Sequence, residues 1–207
     1  MVKIKAPMMS LNASGSLGGA LVFSTWKGKP YVRGLVKPSN PRSGGQLGMR
    51  AMLSFLSHSW IDLSLENKTT WAAPAHAANI SPFNFFVSYN MQRWRQMRGP
   101  ATAYPAGDTW VPIAASQILT GGQRNVQIEF TISGEDQAWA VGIFRSTEEI
   151  IDVNWNNCIT VVHGTEGETV TYTDAPLAAG TYHYRCLAFS FDGVIGEACA
   201  DDTAIVS

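Results

Sequence analysis

Val126-Gln-Ile-Glu-Phe-Thr-Ile132 alternates apolar and polar side chains at every step, the pattern of a strand with one face in a core and the other in water. On a helix, a period of two would spread the same apolar residues around the whole surface and leave no face to bury. The alternation returns at Trp139, Val141 and Ile143, and again over residues 169–173 and 181–191, with turn residues between the runs. Roughly seven short strands in about 100 residues is the spacing of an all-β sandwich. Residues 108–207 are therefore assigned to one.

Upstream the period changes. Met49, Met52, Leu53, Leu56, Trp60 and Leu63 recur at three- and four-residue intervals, the stripe of an amphipathic helix. Ser64 reads as the N-cap of a second short helix that carries Leu65 and Trp71 and breaks at Pro74. Ser81, with Pro82 at the first helical position, opens a third that presents Phe83, Phe86, Val87, Trp94 and Met97. Arg93, Arg95 and Arg98 fall in its last turns, where positive charge suits the helix dipole. Three short helices over residues 47–98 make a small domain, and the Gly- and Pro-containing residues 99–107 read as its linker to the sandwich.

Residues 1–46 read as an extended basic arm carrying one β-hairpin. Residues 20–26 are rich in β-formers, Lys27-Gly28-Lys29 supplies the turn, and residues 31–36 return, with Pro30 acceptable at a strand start or edge. Phe23, Trp26, Tyr31 and Leu35 are a heavy apolar load for a two-strand ribbon, which is marginal alone in water. The arm thus needs a surface to pack on.

Charge follows the same division. Residues 1–100 hold 12 Lys and Arg against Asp62 and Glu66, a balance of +10, whereas residues 101–207 hold 3 against 14, a balance of −11. The whole-chain net of −1 conceals this. Such asymmetry points to a half that docks and a half that does not. No run approaches the roughly 20 apolar residues of a membrane span, and the opening MVKIKAPMMSLNASGS lacks the apolar stretch of a secretory signal. Folding in a cytoplasm is the expectation.

Three cysteines, Cys158, Cys186 and Cys199, without a CxxC pair or matching histidine spacing give no zinc motif and no disulfide framework. If Asp192-Gly193 is a two-residue turn, Phe191 faces Val194 and Cys186 faces Cys199, in the closer, non-hydrogen-bonded class of antiparallel pair. In a reducing compartment the two remain thiols.

The stretch from Tyr172 to Ala188, with Thr173-Asp174, Leu177, Gly180-Thr181, the corner residue Tyr182 and the alternating Tyr184, Cys186 and Ala188, resembles the end of a fibronectin type III-like domain. Gly142-Ile-Phe-Arg-Ser-Thr147 is similar to that family's outgoing middle strand. The first core strand has no Trp, so the likeness is to the broad immunoglobulin-like class. The first half resembles a module of tailed-bacteriophage virion proteins, through residues 14–28, Tyr31-Val-Arg33, Pro38-Ser-Asn-Pro-Arg42, Gln46, Trp60, the helix over residues 65–71 and Ser81-Pro-Phe-Asn-Phe-Phe86. This second resemblance implies a phage origin and a structural role.

Catalytic chemistry finds little footing. His58, His76, His163 and His183 are scattered, with no nucleophile elbow and no paired carboxylates in the first half. Gly15-Ser-Leu-Gly18-Gly19 lacks the Gly-Lys-Ser/Thr of a phosphate loop, and the acidic residues lack calcium-loop spacing. No catalytic residue, metal ligand or cofactor is assigned. The basic arm, with Trp26 and Tyr31 among its eight positive residues from Lys3 to Arg50, suits phosphate tracking and base stacking. Docking on an acidic protein neighbour explains the same residues and the apolar hairpin as well. The fold class expected is thus α+β in two domains, an arm with a hairpin and three helices followed by an immunoglobulin-like sandwich. The role expected is a capsid decoration or cement protein assembled in the bacterial host cytoplasm, contacting the major capsid protein and copies of itself, without membrane contact. The docking residues would be Phe23, Trp26, Lys27, Lys29, Tyr31, Arg33, Lys37 and Arg42. A neck or tail accessory protein, and an internal nucleic-acid-binding protein, are the alternatives.

Overall fold

The computed structural model describes residues 2–3, 14–37, 39–40, 42–109, 114–133, 138–149, 153–165 and 167–207. They divide into two compact units, Met1–Pro41 and Arg42–Ser207.

In the first unit β1 (Val2–Lys3), β2 (Gly15–Leu17), β3 (Leu21–Trp26) and β4 (Lys29–Gly34) form one antiparallel sheet in the order β1-β4-β3-β2. The hairpin is therefore the centre of a larger sheet, not the whole structure of the arm. Its turn is Lys27-Gly28 alone, since Lys29 already pairs with Trp26. Both turn residues have positive φ, 48° and 74°, the combination whose twist matches a two-residue hairpin. Pro30 pairs with Thr25, one step from the turn-closing pair Trp26–Lys29, at a position where the antiparallel ladder needs no hydrogen bond from its amide to β3. No side chain described in this unit is buried.

The second unit stacks three layers. β5 (Ala114–Gly121), β6 (Val126–Ser133) and β9 (Thr169–Asp174) form the first, and β7 (Ala138–Ser146), β8 (Cys158–His163), β10 (Gly180–Ser190), β11 (Ile195–Ala198) and β12 (Asp202–Val206) the second. Among the described residues one parallel pair, Glu197 with Ala114, joins the two sheets. The alternation read from the sequence delivers Val126, Ile128, Phe130 and Ile132 into the core between them, against Val141, Ile143, Tyr184, Cys186 and Ala188. At the corner Tyr182 donates its hydroxyl to the Ala178 carbonyl at 3.1 Å. This is an immunoglobulin-like sandwich.

Helices make the third layer: α1 (Gly44–Asp62), α2 (Leu65–Thr70), α3 (Ala72–Ala77) and α4 (Pro82–Arg95). Ser64 and Ser81 cap α2 and α4 by accepting the Asn67 and Asn84 amides. Pro74 does not break a helix; it sits in the first turn of α3, where its missing amide is not needed.

Two sequence expectations fail here for one reason. The helices do not form a domain over residues 47–98, and residues 99–107 are not a free linker. Because β7 is buried on both faces, its outward residues need cover, and the helical stripe supplies it. Met52, Phe55, Leu56, Trp71, Phe86 and Trp94 share a core with Trp139, Phe144, Leu187 and Phe189. Each such aromatic or aliphatic side chain contributes about 1.5–3 kcal/mol when removed from water. Trp139 faces the helices rather than the sandwich core expected from its spacing with Val141. A register irregularity opposite Phe189 and Ser190 turns it over.

Residues 99–108 are pinned by Arg93, which is 6% exposed. Its Nε donates to Gly99 O at 3.0 Å, one terminal nitrogen donates to Gly193 O at 2.8 Å, and the fork pairs with Asp108. The hydrogen bonds from Arg93 hold the Asp108 carboxyl below the usual carboxylate range. A cation that the sequence assigns to a helix dipole thus ties α4 to residues 99–108 and to the β10–β11 turn.

That turn is also longer than two residues. Ser190 and Val194 close it, Phe189 pairs with Ile195, and an irregularity restores register by Leu187 and Ala198. Cys186 and Cys199 still face each other, but the Cys199 amide donates to Cys186 O at 3.1 Å, so the pair is not in the non-hydrogen-bonded class. The Cys186 amide donates to Cys199 Sγ at 2.7 Å. All three cysteines are buried thiols.

Candidate docking surface

The register of the first unit sorts the expected docking residues onto opposite faces. Paired residues of neighbouring strands share a face, and each strand alternates. Phe23 with Val32, Leu21 with Leu17, and Thr25 with Pro30 therefore lie on one face, which bears no charged residue along β2, β3 and β4. Trp26 with Lys29, Ser24 with Tyr31, and Val22 with Arg33 lie on the other. The structure thus brings Trp26, Lys29, Tyr31 and Arg33 together and separates them from Phe23. Trp26 is 68% exposed at the hairpin end, beside Lys27 in the turn.

Lys37 follows β4 and is exposed. Arg42 belongs to the second unit, with a φ of 50°. There it lines a hollow with Arg145, Tyr172 and Asp174, in which Arg145 already pairs with Asp174 at 2.7 Å. It is not part of the sheet face.

The unit boundary redraws the charge division. Met1–Pro41 carries six Lys and Arg and no acid, +6, and Arg42–Ser207 carries nine against all 16 acids, −7. The helices belong with the acidic body. A single-layer sheet with an uncharged apolar face and a basic aromatic face has two surfaces available for contact.

On the body, Ser59 Oγ lies 3.2 Å from His163 Nε2, a proximity that sequence separation hides. It does not make an activated nucleophile. The hydroxyl proton goes to Phe55 O at 2.7 Å, so the imidazole donates to the serine instead of accepting from it. Among the described residues no group of three or more His, Cys, Asp or Glu is placed to hold a metal ion, and no helix is long and apolar enough to cross a membrane.

No protein-family model and no curated protein matches the chain. Among solved structures, pectate lyase PelI from Erwinia chrysanthemi is similar over 44% of this chain and 28% of its own, at 19% identity and a TM-score of 0.36. The PKD domain of an M14-like peptidase from a Thermoplasmatales archaeon matches 46% of this chain over 95% of its own, at 11% identity and a TM-score of 0.33. A CARDB domain from Pyrococcus furiosus matches 47% over 92% of its own, at 9% and 0.31. All three likenesses take in less than half of this chain.

Proposed function

We propose that the protein is a structural, non-enzymatic component of a tailed-phage particle, a capsid decoration protein that docks through its N-terminal sheet and displays the acidic immunoglobulin-like body. The observation that carries the docking role is the sheet itself: four strands with no buried side chain among those described, apolar on one face and basic on the other. An apolar sheet face is stabilised by packing against another layer, which a partner surface supplies. The phage origin is supported by the ordered motifs of residues 14–86. Cosedimentation with purified particles tests the role, using the full chain and its Lys29→Glu/Arg33→Glu variant. Retention of wild type with loss of the variant is expected; equal retention of both defeats the docking role of the basic face. Gold-labelled protein imaged on particles separates capsid from neck or tail.

The gathering of Trp26, Tyr31, Lys29 and Arg33 on one face favours nucleic-acid binding as a second reading. Single-stranded DNA should then bind with an affinity that falls steeply with salt.

A further inference from the structure

Cys186 on β10 and Cys199, the residue that follows β11, stand opposite one another in the core between the two sheets. The Cys199 amide donates to Cys186 O at 3.1 Å, which places the two in the hydrogen-bonded class of antiparallel pair. Opposed Cα atoms of that class lie about 5.5 Å apart, and most disulfides have theirs at roughly 5.5–6 Å. The observed register therefore suits a covalent bond better than the closer pairing that a two-residue turn would impose.

The side chains meet as well. Cys199 Sγ accepts from the Cys186 amide at 2.7 Å and from the Cys186 thiol. The thiol's donation, opposed by burial and helped by the amide and the Arg185 guanidinium, holds Cys199 below the ordinary thiol pKa. The same bond and burial push Cys186 up. Cys199 is thus the sulfur that ionises first, with Cys186 beside it. Cys186 is fully buried, whereas Cys199 is 9% exposed and lines a hollow of about 400 Å³ with Ser116, Gln117 and Asp201. β11 has only four residues, of which Glu197 and Ala198 are exposed, so opening of its end is a low-energy event that uncovers Cys199 first. Cys158 offers an internal contrast, since it lies in the other core, on the helix side, with its thiol donated to Thr160 O at 3.3 Å.

We propose that Cys186 and Cys199 form a redox staple, joined by a two-electron oxidant of the peroxide class and released by thiols. The deprotonated Cys199 sulfur attacks one oxygen of hydrogen peroxide; the S–O bond forms, the O–O bond breaks, and the departing hydroxide takes up a proton as water. Cys186 Sγ then attacks the Cys199 sulfenic acid. The S–S bond forms, the S–O bond breaks, and hydroxide leaves with the Cys186 proton as a second water. Two thiols are oxidised and one peroxide is reduced. Because β11 bears the parallel pair of Glu197 with Ala114, the bond fixes the seam between the two sheets. A chain that passes from a reducing to an oxidising compartment acquires this lock. The device lies within the body and is independent of the N-terminal sheet.

The test treats the full, folded chain with one equivalent of hydrogen peroxide, alkylates the remaining thiols after denaturation and maps the unreduced digest by mass spectrometry. A peptide linking Cys186 to Cys199, with Cys158 alkylated, is the expected product, and glutathione should return both thiols. The melting temperature should rise by about 6–12 °C on oxidation, the effect of closing a loop of this length in a unit of this size, and fall back on reduction. Cys199→Ser should abolish both responses and Cys158→Ser neither. If Cys199→Ser fails to fold, the map of the wild-type chain still decides. Sulfinic or sulfonic acid at Cys199 without a link, a bond that includes Cys158, a link that forms only in urea, or a link that leaves the melting temperature unchanged overturns the proposal.

Discussion

Replacing Arg93 by Leu keeps an apolar stem of similar reach and removes the guanidinium hydrogen bonds from α4 to Gly99, Asp108 and the β10–β11 turn, while Asn90 and Tyr89 keep theirs to Ala101 and Ala106. Two buried carbonyls, Gly99 O and Gly193 O, lose their charged donor. An unsatisfied buried acceptor costs about 1–3 kcal/mol, and bonds to charged groups stand at the upper end. The Asp108 pair adds at most about 1 kcal/mol, because its carboxylate side is 45% exposed and screened by solvent. Leu repacking offsets part of the total, leaving a net loss of about 3–4 kcal/mol. For a unit the size of Arg42–Ser207 this lowers the melting temperature by about 6–16 °C. Calorimetry of the full chain measures it, with Asp108→Asn expected to cost much less. A loss below about 1 kcal/mol would refute the assignment of Arg93 as the tie. So would a wild-type body in which helices and sandwich melt in two separate transitions.

Asp108 titrates below the usual range because of Arg93, so its contribution is present above the unfolded-state pKa and is lost as pH falls through the lowered folded value; Asp108→Asn should flatten the fall in stability on acidification below the ordinary carboxylate range. Gly48→Ala should destabilise by several kcal/mol, because a Cβ there overlaps the Trp155 carbonyl oxygen of the 3₁₀ turn Trp155–Asn157, and both partners are backbone-anchored; urea midpoints of the two proteins decide it. Residues 108–207 expressed alone should aggregate, since removing the helices uncovers Trp139, Phe144, Leu187 and Phe189; a soluble, cooperatively folding fragment would contradict the shared core. Cys199 should react with thiol reagents before Cys158, whose thiol is pushed up by burial, while the hydrogen bond from Cys186 lowers that of Cys199; mass spectrometry after brief labelling reads the order.

The parts of this fold that the sequence discloses are those set by local periodicity. The strand of Val126, Ile128, Phe130 and Ile132, the caps at Ser64 and Ser81, and the corner at Tyr182 each depend on residues within one element or turn. What it concealed depends on which elements meet. A continuous buried run such as Ala138–Phe144 signals cover on both faces, and that signal was present, but the alternation of Trp139, Val141 and Ile143 masked it. Arg93 at a helix end reads as a dipole partner until Gly193, a hundred residues away, is seen to accept from it. Among the expected docking residues, composition grouped Phe23 with Trp26, and only the pairing register divides them.

The helical layer also sets an order of events during synthesis. α1 emerges with Met52, Phe55 and Leu56 already in helical phase, yet the strand it packs on, Cys158–His163, is translated about a hundred residues later. At about 5–20 residues per second the apolar stripe waits for roughly 5–20 seconds. During that interval it resembles the groove-binding face of an unpartnered amphipathic helix, a substrate for chaperones and for stray association with other nascent chains. Codon changes that slow elongation between residues 62 and 158 should therefore lower soluble yield without altering the finished protein.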